Sequence, residues 1–149
     1  MANTYESCDR VKEKGALYLV EDRAQTFVGS NWPFESGPCT PLKMAEAGFY
    51  YCGSAQTPDW VRCAVCHQDM EGWEESDNPR DEHKRCQPGC DYLKLKDPYT
   101  ITVGDILDLE KAAYEHYIRQ EGDKLSADLD EMVGDMREQL VNAEKTRTS

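Results

Sequence analysis

The chain has 149 residues, a formal charge of −12 and a sequence pI near 4.6, a length that suits one ordinary domain plus an appendage. Such acidity argues against general affinity for a DNA or RNA backbone, which needs clustered Lys and Arg. No stretch approaches the roughly 18 apolar residues of a membrane span, and Met1 to Arg10 shows no basic run leading into an apolar one, so the chain is expected to be soluble and unsecreted.

Residues 1–14 carry no clear period and are expected to form a loosely ordered N-terminal segment. All seven cysteines, all three tryptophans and all seven prolines lie at or before residue 98. That change in composition places a compact domain at 15–97 and a linker with a long helix at 98–149. Tyr18 to Phe27 has an approximate helical period, broken by Asn31-Trp32-Pro33-Phe34. Thr40-Pro41 reads as an N-cap followed by Pro at the first helical position, opening a helix that stops at Gly48. Phe49 to Cys52, Trp60 to Cys63 and Met70 to Trp73 read as strands with turn residues between them. After Asp77-Asn78-Pro79, a short helix through Glu82 and Lys84 brings His83 to one face. The compact part is therefore an α+β domain, a three-stranded antiparallel sheet with short helices around it.

From Thr102, the string Thr-Val-Gly-Asp resembles a capping box with Asp105 in place of Glu. Leu107, Tyr114, Ile118, Leu125, Leu129, Met132, Met136 and Leu140 follow at helical spacings, and a helix of about 40 residues would run for about 60 Å. An apolar stripe of that length exceeds what the small domain can cover, so it calls for another helix. Gly122 and Gly134, each costing up to ~1 kcal/mol relative to Ala, weaken an autonomous helix. A solvated acidic helix is the competing reading. Residues 98–149 hold twelve Asp or Glu against six Lys or Arg, which favours a basic partner.

An odd number of cysteines without a signal peptide points to metal ligation or reduced thiols, hence to cytosol or nucleus. Cys63 and Cys66 form a Cys-x-x-Cys pair, with His83 and Cys90 downstream. Three thiolates and an imidazole make a closed tetrahedral site suited to one structural zinc, with no position left for a reactive water. Cys86, three residues from His83, competes for the fourth place. Two small buried thiols and a surface histidine would be the bland version of the same residues. A thioredoxin-like dithiol needs an α/β pattern that this chain lacks. Cys8, Cys39 and Cys52 read as packing or exposed thiols. No Ser/His/Asp arrangement appears, so no enzymatic activity is expected.

The string Arg23-x-x-Thr26-Phe27, Asn31-Trp32-Pro33-Phe34, Cys39-Thr40-Pro41, Met44-Ala45-Glu46-Ala47-Gly48-Phe49, the metal spacing and Gly72-Trp73-Glu74 together resemble a baculoviral IAP repeat. The passage through Thr102 to Leu107 into a long helix resembles the single-repeat members of that family. The resemblance implies a groove for peptides with a free N-terminal Ala, among them a histone tail. Glu71 and Asp77 would face the ammonium, Trp73 the first side chain, and Trp60 would stand at the wall. Where the family reads phosphate with a basic residue this chain has Gln68, and Cys86 replaces a histidine at the far end, so recognition of Ala carries over better than phospho-dependence. For the helix, the resemblance implies docking to helical scaffold proteins of a passenger-type complex that acts in mitosis, chromosome segregation and cytokinesis, with homodimerisation as the other arrangement. Nucleus and cytoplasm, with chromosome, centromere and spindle in mitosis, are the implied locations. The alternative role is an inhibitor of apoptosis that binds caspases or Ala-initiated antagonists.

Overall fold

The computed structural model describes residues 17–147. In chain order they form α1 (Val20–Gln25), α2 (Pro41–Glu46), β1 (Phe49–Tyr51), β2 (Val61–Cys63), β3 (Asp69–Met70), α3 (Pro79–Cys86), a 3-10 turn (Asp91–Lys94) and α4 (Val103–Arg147). The strands make one antiparallel sheet in the order β1-β2-β3, with Arg62 opposite Tyr50 on one side and Asp69 on the other. This is the α+β architecture expected from the sequence, with the long helix at its C-terminal end.

Alternation along β2 divides the interior. Val61 and Cys63 join the main core with Phe27, Trp32, Met44, Phe49, Trp73 and Tyr92, whereas Ala64 packs with Tyr50, Cys52 and Trp60 in a smaller cluster. Arg23 of α1 is fully buried in the main domain. Its guanidinium donates to the Ala45 carbonyl (2.8 Å), the Leu17 carbonyl (2.8 Å) and the Tyr92 hydroxyl (2.6 Å), and it lies 4.8 Å from the Tyr92 ring centre. A buried charge is tolerated because every direction of its fork has an acceptor or a π face. Burial lowers its pKa from the usual arginine value.

Of two local expectations, the start of α2 is met and the end of β3 needs correction. Thr40 occupies the N-cap of α2 with Pro41 behind it, but its hydroxyl makes no capping bond, so the fixed φ of Pro41 carries the helix start. The third strand stops at Met70 and does not run to Trp73. Asp59 Oδ2 accepts from the amides of Gly72 (2.7 Å) and Trp73 (3.0 Å), and Gly72 turns with φ +77°, so these donors leave the ladder for a side chain. At the end of α2, Gly48 has φ +101°, and a Cβ there would lie 2.7 Å from Tyr92 Cδ1. Glycine is needed there both for the turn and for the closure of Tyr92 over it.

Thr102 and Asp105 form the expected box at the start of α4. The Thr102 hydroxyl accepts from Asp105 N (3.1 Å), while Asp105 Oδ2 accepts from Thr102 N (2.8 Å) and the Thr102 hydroxyl (2.6 Å). Among the described residues, those up to His116 belong to one compact unit and those from Tyr117 to a second. In the first, Leu109, Ala112 and Ala113 are buried while Leu107 and Tyr114 are exposed. In the second, Ile118, Leu125, Leu129, Met132, Met136 and Leu140 are all exposed, together with Tyr117, Val133 and Val141.

Candidate functional site

The sequence folds so that three separate segments converge on one buried point. Cys63 ends β2, Cys66 closes the turn after it, His83 faces inward from the middle of α3, and Cys90 arrives after the Gln87–Gly89 turn. Their four ligand atoms lie within 4.8 Å of one another, and all four side chains are buried. Cys63 Sγ is 3.9 Å from Cys90 Sγ, and Cys66 Sγ is 3.4 Å from His83 Nε2. A tetrahedron with metal–sulfur bonds of about 2.3 Å has sulfur–sulfur edges of about 3.8 Å, so the spacing suits an ion at the centre.

The imidazole is prepared for ligation. Nδ1 of His83 lies 2.8 Å from the Ala47 carbonyl, which can only accept, so Nδ1 carries the proton and Nε2 turns its lone pair to the sulfurs. Phe49 packs against the ring, with centroids 4.7 Å apart. Burial pushes the Cys63 thiol well up. Cys66, pulled down by its bond with Cys63, is still pushed up to about 12 by Cys90 and burial. Cys90 is held low by hydrogen bonds from those two thiols. The charge of a metal ion bound there would favour deprotonation of all three sulfurs together. These four residues could hold a metal ion.

Cys86 lies at the exposed last turn of α3, outside the cluster. Cys39 is a buried thiol pushed up to about 12 by burial. Cys52, expected as a plain thiol, is instead buried and disulfide-bonded. Cys8 lies outside the described residues.

The acidic loop after β3 is tied down by its own carboxylates. Asp77 Oδ2 accepts from Glu74 N (2.8 Å), and Glu75 Oε1 accepts from the Ser36 hydroxyl (3.0 Å). Trp73 is largely core, edge-on to Phe49 at 5.6 Å, and its Nε1 has no hydrogen-bond partner among the described residues. Glu71 is exposed and Asp77 half-buried. Gln68 donates to the Asp69 carbonyl (2.9 Å) and accepts from Gln87 (2.9 Å). Trp60 packs in the smaller cluster, away from Trp73, and its Nε1 donates to Asp69 Oδ1, which also pairs with Arg62.

The sequence model described as "BIR: Inhibitor of Apoptosis domain" matches residues 23–94. Baculoviral IAP repeat-containing protein 5 of Cavia porcellus is 38% identical over 126 residues, covering 83% of this chain and 87% of that protein. The chain belongs to the baculoviral IAP repeat family. Protein 5 of Rattus norvegicus is 37% identical with the same coverage, and protein 5.2 of Xenopus tropicalis is 44% identical over 64% of this chain and 62% of its own length. A crystal structure of DIAP1 BIR1 bound to a Grim peptide aligns with TM-score 0.46 at 24% identity, over 66% of this chain and 94% of the other.

Two residues that organise the repeat escaped the sequence reading. Asp59 shapes the loop that carries Trp73. His67, next after the Cys-x-x-Cys pair, adopts φ +58° and lies buried with Nε2 3.0 Å from the Ala113 carbonyl of α4. It links the metal turn of the repeat to the first turns of the long helix. Histidine is among the few residues enriched at positive φ, but spacing alone cannot show that its ring reaches a carbonyl 46 residues away.

Proposed function

We propose that this chain is a non-enzymatic, survivin-like adaptor. Its repeat holds one structural zinc through Cys63, Cys66, His83 and Cys90, and binds peptides that begin with a free Ala, such as a histone tail. Its C-terminal helix docks to helices of a passenger-type scaffold. In this reading residues 15–97 are the peptide-reading domain, 98–149 the docking arm, and the protein works at chromosomes and spindle during mitosis. Four protein ligands fill a tetrahedral ion, which leaves no site for an activated water.

The observation that carries the adaptor reading is the uncovered stripe on α4. Ile118, Leu125, Leu129, Met132, Met136 and Leu140 are exposed, and burying a side chain of this kind contributes about 1.5–3 kcal/mol. An inhibitor acting through its groove alone has no use for such a face. Leu107 and Tyr114 extend the same docking series toward the repeat. For the groove, support comes from Glu71 and Asp77 near an exposed sheet edge, a setting suited to capture of an amine and pairing with a peptide backbone. Trp60, Gln68 and Cys86 are its outer residues in this reading.

Replacing Leu129 and Met136 together by Asp in the full chain tests the docking. Co-purification with helical scaffold proteins from mitotic extract should be lost, while metal content and peptide affinity stay unchanged. Normal scaffold recovery by the double variant, or recovery of caspases alone by the parent chain, would favour the apoptosis-inhibitor reading.

A further inference from the structure

The turn that carries Cys63 and Cys66 ends in a disfavoured backbone. His67, next after Cys66, is the one non-glycine among the described residues with a left-handed conformation, at φ +58°. A Cβ disfavours that conformation, although histidine is among the residues found there more often than most. Glycine would occupy it without that cost. The turn is closed on both sides of His67: its amide donates to the Cys63 carbonyl (3.2 Å), and the Cys63 amide donates to the Gln68 carbonyl (3.1 Å). The Gln68 amide hydrogen-bonds the Cys66 sulfur, which favours the thiolate that a metal needs. His67 therefore lies between a metal ligand and a donor to that ligand.

The side chain of His67 has a partner far along the chain. Its ring is buried, with Nε2 3.0 Å from the Ala113 carbonyl of α4. A carbonyl only accepts, so Nε2 carries the proton. Ala113 is the last buried residue among those described in α4, and Leu109 and Ala112 before it belong to the same core cluster as Cys63, Cys66 and Cys90. One ring thus ties the residue behind a metal ligand to the last buried turn of the long helix.

We propose that His67 is a positioning residue of the metal site: the Ala113 carbonyl of α4, acting through the His67 ring, holds the left-handed turn behind Cys66 in the shape that presents this ligand to the metal. This rests on the reading of Cys63, Cys66, His83 and Cys90 as a structural zinc site, and adds α4 to the parts that determine its affinity. Removing an outer contact that orients a ligand commonly weakens metal binding by about 10–100-fold. Coupling of this kind is reciprocal. The first turns of α4 tighten the metal, and the metal holds those turns on the repeat.

Two carboxamide variants of the full chain separate the bond made by the ring from the shape of the backbone. In His67→Gln the side-chain nitrogen reaches about as far as Nε2 of histidine, whereas in His67→Asn it stops near the place of Nδ1. Asparagine is the better residue for a left-handed backbone. A role limited to the conformation of the turn therefore favours Asn, and a role through Ala113 favours Gln. Zinc affinity is read by competition with a chromophoric chelator, and the hold on α4 by amide hydrogen exchange over residues 109–116. His67→Asn should bind zinc about tenfold more weakly than the parent chain and lose exchange protection in that segment. His67→Gln should recover most of both. An Asn variant that binds zinc as tightly as the parent, or as tightly as the Gln variant, overturns the proposal, and so does lost protection in α4 with unchanged zinc affinity. Failure of both variants to fold makes His67 a core-packing residue and overturns it too. A parent chain that binds no zinc removes the metal reading itself, together with this inference.

Discussion

At the scale of single residues, a zinc ion held by Cys63, Cys66, His83 and Cys90, as proposed, would concentrate the stability of the domain. Structural zinc in small domains binds with an apparent ~10–16 kcal/mol, as large as the ~5–15 kcal/mol by which a whole domain is stable. Removing one ligand is therefore expected to remove the fold. Cys90→Ser should lose metal and cooperative unfolding together, whereas Cys86→Ser, altering an exposed thiol outside the cluster, should keep both. Metal analysis with thermal melts of the two variants checks this, and the reverse result would reassign the fourth ligand. Binding requires three thiols to shed protons, so metal affinity should fall as pH falls.

At the scale of elements, helix starts are decided by local chemistry and differ in kind. α2 begins on Pro41 alone, α3 on Asn78, whose Oδ1 accepts from Arg80 N (3.1 Å) and Asp81 N (3.2 Å), and α4 on the reciprocal box of Thr102 and Asp105. Hydrogen bonds from the Thr102 hydroxyl and amide hold the Asp105 carboxyl below the usual aspartate value. A depressed carboxyl contributes stability above its unfolded pKa, near 3.9, and that contribution is lost as pH falls through the lower folded value. Thr102→Ala removes the hydroxyl and should raise the Asp105 pKa toward the ordinary value. It should also fray the first turn of α4. An NMR pH titration of Asp105 in both proteins measures the shift, and an unchanged pKa would show that the box does not hold in solution.

At the scale of the whole molecule, the proposed peptide groove draws on parts that lie far apart in the chain. Asp59 fixes Gly72 and Trp73, Ser36 reaches Glu75, and Phe49 supports both Trp73 and His83. Glu71 and Asp77 then offer negative charge beside an indole whose bulk is already committed to the core. A peptide beginning with free Ala should thus bind much more tightly than its acetylated form, because acetylation removes the ammonium and leaves the side chains alone. Calorimetry with the two peptides reads the difference. Equal affinities would remove amine capture from the proposed function.

What the sequence determined by itself is whatever rests on short-range chemistry: the Cys-x-x-Cys pair, the Thr102 and Asp105 box, the turn residues that separate the strands, and the helical spacing of α4. Each depends on residues within a turn or two of one another, so neighbours in the chain are enough to read it. The meeting of Cys90 rather than Cys86 with His83, the early end of β3 at Met70, the separation of Trp60 from Trp73 and the bond from His67 to Ala113 were decided only in the tertiary structure. In those places a side chain distant in sequence competes for the same donor, ligand position or packing site. The winner there is set by three-dimensional proximity and the cost of leaving a buried polar group unpaired.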